Sequence, residues 1–141
     1  MGDHGSDNGE IRVVTNKQRE FYRDIGPFLS RREIVRELGF NIWDDDRKVW
    51  YVMYQGETVV GFAAMIPGDK KTVFMSAYVP PEYRSRGIYS ELLDARLSDV
   101  VTWPVTTTAT DKSRPILESR GFVATGQRGR YTSMIKESGD V

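Results

Sequence analysis

The stretch richest in potential chemistry reads Tyr78-Val79-Pro80-Pro81-Glu82-Tyr83-Arg84-Ser85-Arg86-Gly87-Ile88-Tyr89-Ser90-Glu91-Leu92-Leu93. A strand ends, a short turn carries two arginines and a glycine, and a helix begins. Free amides at the start of a helix point at whatever occupies such a turn, and the helix dipole favours an anion there. Gly87 lets the backbone approach that anion closely. Arg84 and Arg86 add charge in the planar form that suits phosphate and carboxylate. From the residues alone the segment reads as a cradle for phosphate or pyrophosphate, or as an ordinary strand-to-helix turn with solvent-facing arginines.

Other chemistries are excluded by what the chain lacks. It has 141 residues, no cysteine and one histidine. Disulfides, cysteine-ligated metals and a thiol nucleophile are therefore out, and the one imidazole, His4, lies in a polar leader. Metal chemistry is not expected. Twenty basic and twenty acidic residues cancel, so the basic excess that supports general nucleic-acid binding is missing. No run approaches the ~18 apolar residues of a membrane span, and no apolar segment follows the N-terminus. A soluble, cytoplasmic domain is the expectation.

The elements that must position the turn follow from periodicity and punctuation. Residues 1–9 read as a disordered leader, 10–136 as a single domain and 137–141 as a fraying tail. Ile11, Val13 and Val14 form a first strand. A helical pattern runs from about Asn16 to Phe28, broken at Pro27. Ser30 and Glu33 have capping-box spacing ahead of a second helix that carries Ile34 and Leu38 and ends at Gly39. Val49–Tyr54, Thr58–Ile66 and Thr72–Val79 are three strands joined by tight turns. Ile88, Leu92, Leu93, Leu97 and Val100 mark an amphipathic helix. A strand over Trp103–Thr108, a helix over Asp111–Ser119 and a hairpin of Phe122–Thr125 with Tyr131–Ile135 complete the chain. The fold class is mixed α/β, with about seven mostly antiparallel strands and about four helices in the order β-α-α-β-β-β-α-β-α-β-β. The β-α-β step over 72–108 requires one parallel pair.

The segment Arg84-Ser85-Arg86-Gly87-Ile88-Tyr89 resembles the acyl-CoA-binding signature Gln/Arg-x-x-Gly-x-Gly/Ala of the GNAT superfamily of N-acetyltransferases. Val79-Pro80-Pro81-Glu82-Tyr83 before it, the Gly121-Phe122 pair after the last helix and the hairpin around Trp50–Gly61 are similar to that family as well. The resemblance spans nearly all of residues 10–136. It implies an acyltransferase that moves an acetyl group from acetyl-CoA directly to a primary amine. It implies that the amides of Arg84, Ser85, Arg86, Gly87, Ile88, Tyr89 and Ser90 hold the CoA pyrophosphate. The backbone of Ala77 and Val79 would pair with the pantetheine arm, in an opening between the strands over 72–79 and 103–108. An amide near Ala77 would polarise the thioester carbonyl. Tyr89 stands where the signature has a small residue, so its side chain must turn away from the phosphates.

Proton transfer is less well marked. Leu117 stands where many relatives carry a thiolate-protonating tyrosine, and Val73–Val79 holds no acid. Tyr78 and Asp111 are the candidate catalytic side chains, with Asp111 doubling as a candidate helix cap. Ser113 is a candidate CoA contact. Trp43, Asp44, Asp45 and Asp46 form a candidate wall for a cationic acceptor, or a solvated turn. Two further readings stay open: a GNAT-like domain that binds CoA or a partner without turnover, and an enzyme of this fold acting on nucleic acid. A homodimer through the final strands is likewise open.

Overall fold

The computed structural model describes residues 4–29, 31–38, 42 and 44–139. The proposed cap Ser30, the proposed helix end at Gly39 and the proposed acceptor wall Trp43 lie outside the described residues.

Apolar runs punctuated by tight turns fold into one eight-stranded sheet flanked by helices, with Trp50–Tyr54 and Val60–Met65 buried throughout. The strands are β1 (His4–Ser6), β2 (Gly9–Val14), β3 (Val49–Gln55), β4 (Thr58–Pro67), β5 (Thr72–Tyr78), β6 (Val105–Ala109), β7 (Val123–Arg128) and β8 (Tyr131–Lys136). Their spatial order is β1-β2-β3-β4-β5-β6-β8-β7. All neighbours are antiparallel except β5 and β6, the parallel pair that the β-α-β step demanded. Helices α1 (Arg19–Asp24), α2 (Gly26–Leu29), α3 (Arg32–Leu38), α4 (Ile88–Ser98) and α5 (Arg114–Ser119) complete the set. None among the described residues is long and apolar enough to cross a membrane.

Two boundaries differ from the sequence reading. Residues 1–9 read as a disordered leader, yet His4–Ser6 pairs with Gly9–Ile11. The ordering is tertiary: Gly9 has φ +134°, and a Cβ there would lie 2.2 Å from the Tyr54 carbonyl oxygen. The helical stretch from Asn16 to Phe28 divides at Ile25 into α1 and α2.

The sheet separates two cores. Ile11, Tyr51, Met53, Phe74 and Met134 pack with Ile88, Leu92 and Leu93 of α4 and Leu117 of α5. Trp50, Val52, Phe62, Ala64 and Tyr78 pack with Phe21 of α1, Ile25 and Ile34 of α3. Gly61 of β4 allows the first contact, since a Cβ there would come within 2.7 Å of Ile88 Cγ2. Arg96 is an unforeseen member of the buried set, at 2% exposure. It donates to the Leu92 and Ala64 carbonyls at 3.2 Å and lies over the Phe74 ring. Burial pushes its pKa down to about 10.

Candidate functional site

The arginine turn is built from backbone. After β5, a 3₁₀ turn at Pro81–Tyr83 ends with the Arg84 N–H donating to the Pro81 carbonyl. Ser85 (φ +65°) and Gly87 (φ +83°) are both left-handed, on either side of Arg86. Such alternation turns successive N–H groups toward one concavity. The first intrahelical bond of α4 runs from the Glu91 N–H to the Gly87 carbonyl at 3.0 Å. The amides of Ile88, Tyr89 and Ser90 thus belong to the unsatisfied first turn, aligned with the positive end of the dipole. Nothing lies within 4 Å of a Cβ built on Gly87. The glycine is required by its φ and not by crowding.

The side chains of this turn mostly serve the turn itself. Arg84 donates to the Val79 carbonyl at 2.8 Å, pairs with Glu37 of α3 at 2.7 Å and lies over the Tyr78 ring. Hydrogen bonding to Glu37 raises its pKa. Arg86 lies over the Tyr83 ring and donates to the Glu82 carbonyl. Tyr89 packs its ring on the first core, near enough to Arg96 to oppose the lowering of that residue's pKa by burial. Ile88 is buried and Ser90 partly so. From the opposite end of the chain, Asn8 Nδ2 donates to the Arg86 carbonyl at 2.8 Å and to the Glu91 carboxylate. Asn8 carried no signal in the sequence, because its partners are some eighty residues away.

Beside the turn the sheet opens. Strands β5 and β6 share only the Thr72–Val105 and Val73–Thr106 rungs. Past them the Thr107 hydroxyl reaches the Phe74 carbonyl at 3.1 Å, and the strands pair no further. On its other side β5 bulges. Met75 faces Ala64 and Tyr78 faces Phe62, so Ser76 and Ala77 together oppose Ala63. Ser76 is left-handed, with φ +59°. Ala77 and Val79 pack on the first core, while Tyr78 faces the second beside Phe28 and Phe62. Burial, then Glu37, raises the Tyr78 pKa.

The remaining candidates divide. Asp111 is exposed in the turn after β6. The cap foreseen for it does not form, since α5 has no side-chain cap hydrogen bond; the bonds of the preceding turn run from Thr110 N–H to Ser113 Oγ at 2.9 Å and from Ser113 N–H to Thr110 Oγ1 at 3.3 Å. Ser113 is thereby engaged within its own turn. Asp44 and Asp46 accept from the Asn16 carboxamide, and Asp44 also from Tyr22. Asp45 accepts from the Arg47 side chain and backbone N–H, which hold its pKa down to about 2. The next residue, Lys48, is 4% exposed and reaches the bulge, its Nζ donating to Ser76 Oγ at 2.8 Å. Lys48 and Ser76 were missed because a lysine before a strand and a serine within one are ordinary in a sequence.

Comparison with known proteins follows the same outline. Residues 27–133 match a family model described as an acetyltransferase (GNAT) domain. No curated protein matches the chain. Among solved structures, Escherichia coli ElaA is similar with a TM-score of 0.68 at 14% identity, over 90% of this chain and 98% of its own. An acyl-CoA N-acyltransferase from Pseudomonas aeruginosa gives 0.68 at 12%, over 89% and 97%. An acetyltransferase from Thermus thermophilus gives 0.68 at 12%, over 91% and 97%. At these identities the likeness is one of fold.

Proposed function

The chain belongs to the GNAT acetyltransferase family, and from that premise we propose that it is an N-acyltransferase that uses acetyl-CoA to acetylate a primary amine. The observation that carries the proposal is the left-handed pair Ser85 and Gly87 at the head of α4, directly beside the opening between β5 and β6. The first feature suits a pyrophosphate and the second an extended arm carrying a thioester.

In this reading the amides from Ser85 to Ser90 hold the pyrophosphate. Arg84 shapes the turn through Val79 and Glu37. The backbone of Ala77 and Val79 extends the sheet to the pantetheine arm, and the Ala77 amide faces the thioester carbonyl. The amine attacks that carbonyl as a free base. The C–N bond forms, the C–S bond breaks, the ammonium proton leaves and the thiolate takes one up. With no cysteine in the chain, transfer is direct. Tyr78 is the proposed proton donor, since burial and Glu37 keep its phenol protonated, as an acid must be. Asp111 is the proposed carboxylate for the amine proton, and Asp44–Asp46 the proposed draw for a cationic acceptor. A cytoplasmic location belongs to the same proposal.

One observation favours a second reading, a CoA-binding domain without turnover. Leu117 is buried in the first core, at 1% exposure, where many relatives place a tyrosine. Thiol release with a panel of amines separates the two.

The test is calorimetry with acetyl-CoA on the wild type, Gly87→Asp and Gly87→Asn. Asparagine tolerates the left-handed region better than most residues, and space for its side chain is open. Wild type and Asn are expected to bind, and Asp to lose binding by repelling the pyrophosphate. A folded wild type that does not bind acetyl-CoA overturns the proposal.

A further inference from the structure

We propose that Lys48 is a positioning residue for acyl transfer, its ammonium clamping the Ser76 hydroxyl so that the left-handed bulge of β5 keeps the Ala77 amide turned to the opening between β5 and β6. The inference rests on the acyltransferase reading for its consequence, but not for its geometry.

The bulge needs a holder. Serine lacks the freedom of glycine, and a left-handed serine inside a strand is strained unless its surroundings fix it. Neighbouring strands give little help. On the β4 side, Ser76 and Ala77 share a single opposing residue, Ala63. On the β6 side, the last rung is Val73–Thr106, well before the bulge. The hydrogen bond to Ser76 Oγ comes from Lys48, at the foot of β3 and one strand beyond β4.

The clamp is itself well fixed. Lys48 is buried, its Nζ lies 5.0 Å from the centre of the Trp50 ring, and its own N–H donates to the Asp45 carbonyl at 3.0 Å. A charged donor in a poorly solvated site makes a strong bond with a preferred direction. Burial lowers the Lys48 pKa, an effect that Asp45 and Asp44 oppose. The acidic loop thus acquires a structural role, since its carboxylates help keep the clamping ammonium charged.

The chemistry makes such a holder worthwhile. A donor aimed at the developing oxyanion lowers the barrier only if it is aimed before the reaction begins. Were β5 a regular strand, the peptide after residue 76 would point into the ladder. The left-handed residue rotates it out.

The test uses Lys48→Met, Ser76→Gly and the double variant. Glycine adopts the left-handed conformation unaided. Lys48→Met is expected to lower kcat on the order of a hundredfold, comparable to the loss of an oxyanion donor, with acetyl-CoA affinity unchanged. Ser76→Gly in the Lys48→Met background is expected to restore most of that rate. No restoration means that Lys48 acts as a base or a charge, and overturns the proposal. A backbone readout stands apart from activity: the amide–Cα proton coupling and shifts of Ser76 should leave their left-handed values in Lys48→Met. If they do not move, the clamp is refuted even when the enzyme turns over; if they move in a protein that never binds acetyl-CoA, the clamp stands and the acyltransferase reading falls. Ser76→Ala breaks the same bond from the other end and serves where Lys48→Met does not fold.

Discussion

The Arg84 guanidinium spans three groups: the Val79 carbonyl, the Glu37 carboxylate and the Tyr78 ring. A side chain so engaged would act on the proposed phosphate turn through the backbone rather than by direct charge. The Arg84–Glu37 pair is partly exposed, with side chains 31% and 40% accessible, so its contribution to stability is at most about 1 kcal/mol. Glu37→Gln should therefore cost less than about 1 kcal/mol in denaturant unfolding. Arg84→Met should do more to binding than to stability, because it frees the Val79 carbonyl beside the proposed pantetheine path. Acetyl-pantetheine, which lacks the pyrophosphate, separates the mechanisms. An indirect role weakens acetyl-pantetheine and acetyl-CoA by the same factor. A loss confined to acetyl-CoA would return Arg84 to a direct phosphate contact.

Helix α4 can deliver its first-turn amides only if it lies close on β4, and Gly61 sets that distance. An alanine there places its Cβ 2.7 Å from Ile88 Cγ2 and 3.4 Å from Leu92 Cδ1 and Val79 Cγ2, so the start of the helix must move. Gly61→Ala should cost about 1–3 kcal/mol by overpacking and weaken acetyl-CoA binding by shifting the turn. Gly126→Ala is the control: with nothing within 4 Å of its Cβ, its effect should stay within about 0.5 kcal/mol. Equal effects of the two would remove the packing argument. Elements of this kind were legible in the sequence where local rules act alone. Apolar runs set off by the Gln55-Gly56-Glu57 and Pro67-Gly68-Asp69 turns marked β3, β4 and β5, and Pro80-Pro81 with Gly87 marked the strand end and the helix start. The turn of the candidate site was legible for the same reason, and the size of Tyr89 foretold its inward course. Asn8, Lys48, Ser76 and Arg96 were not legible. Each is polar, and its placement depends on a partner brought near only by the finished fold: the Arg86 carbonyl, the bulge or the Ala64 carbonyl.

At the scale of the molecule, the sheet is two sheets joined by a narrow seam. Strands β1 to β5 form an antiparallel meander, and β6, β8 and β7 a second unit. Between them lie the two β5–β6 rungs, the Thr72 N–H to Pro104 carbonyl bond, the Thr72 hydroxyl on the Thr102 carbonyl and the Thr107 bridge. All cluster at one end, so the other end is held by side-chain packing of Phe74, Leu117 and Met134 with α4. The proposed extended ligand, pairing with β5, would fill the gap where the ladder is missing. Two consequences follow from the one geometry. Without ligand, amides of Thr107–Ala109 should exchange through smaller openings than those in the centre of β3 and β4. Acetyl-CoA at a hundredfold its Kd should add about 2.7 kcal/mol, a rise in Tm of roughly 5–10 °C for a chain of this size. The gain in protection should centre on residues 74–79 and 106–109. A matching rise in Tm with protection confined to α4 would place the ligand on the helix end alone and leave the seam unfilled, whereas protection at both walls ties the phosphate turn and the opening into one site.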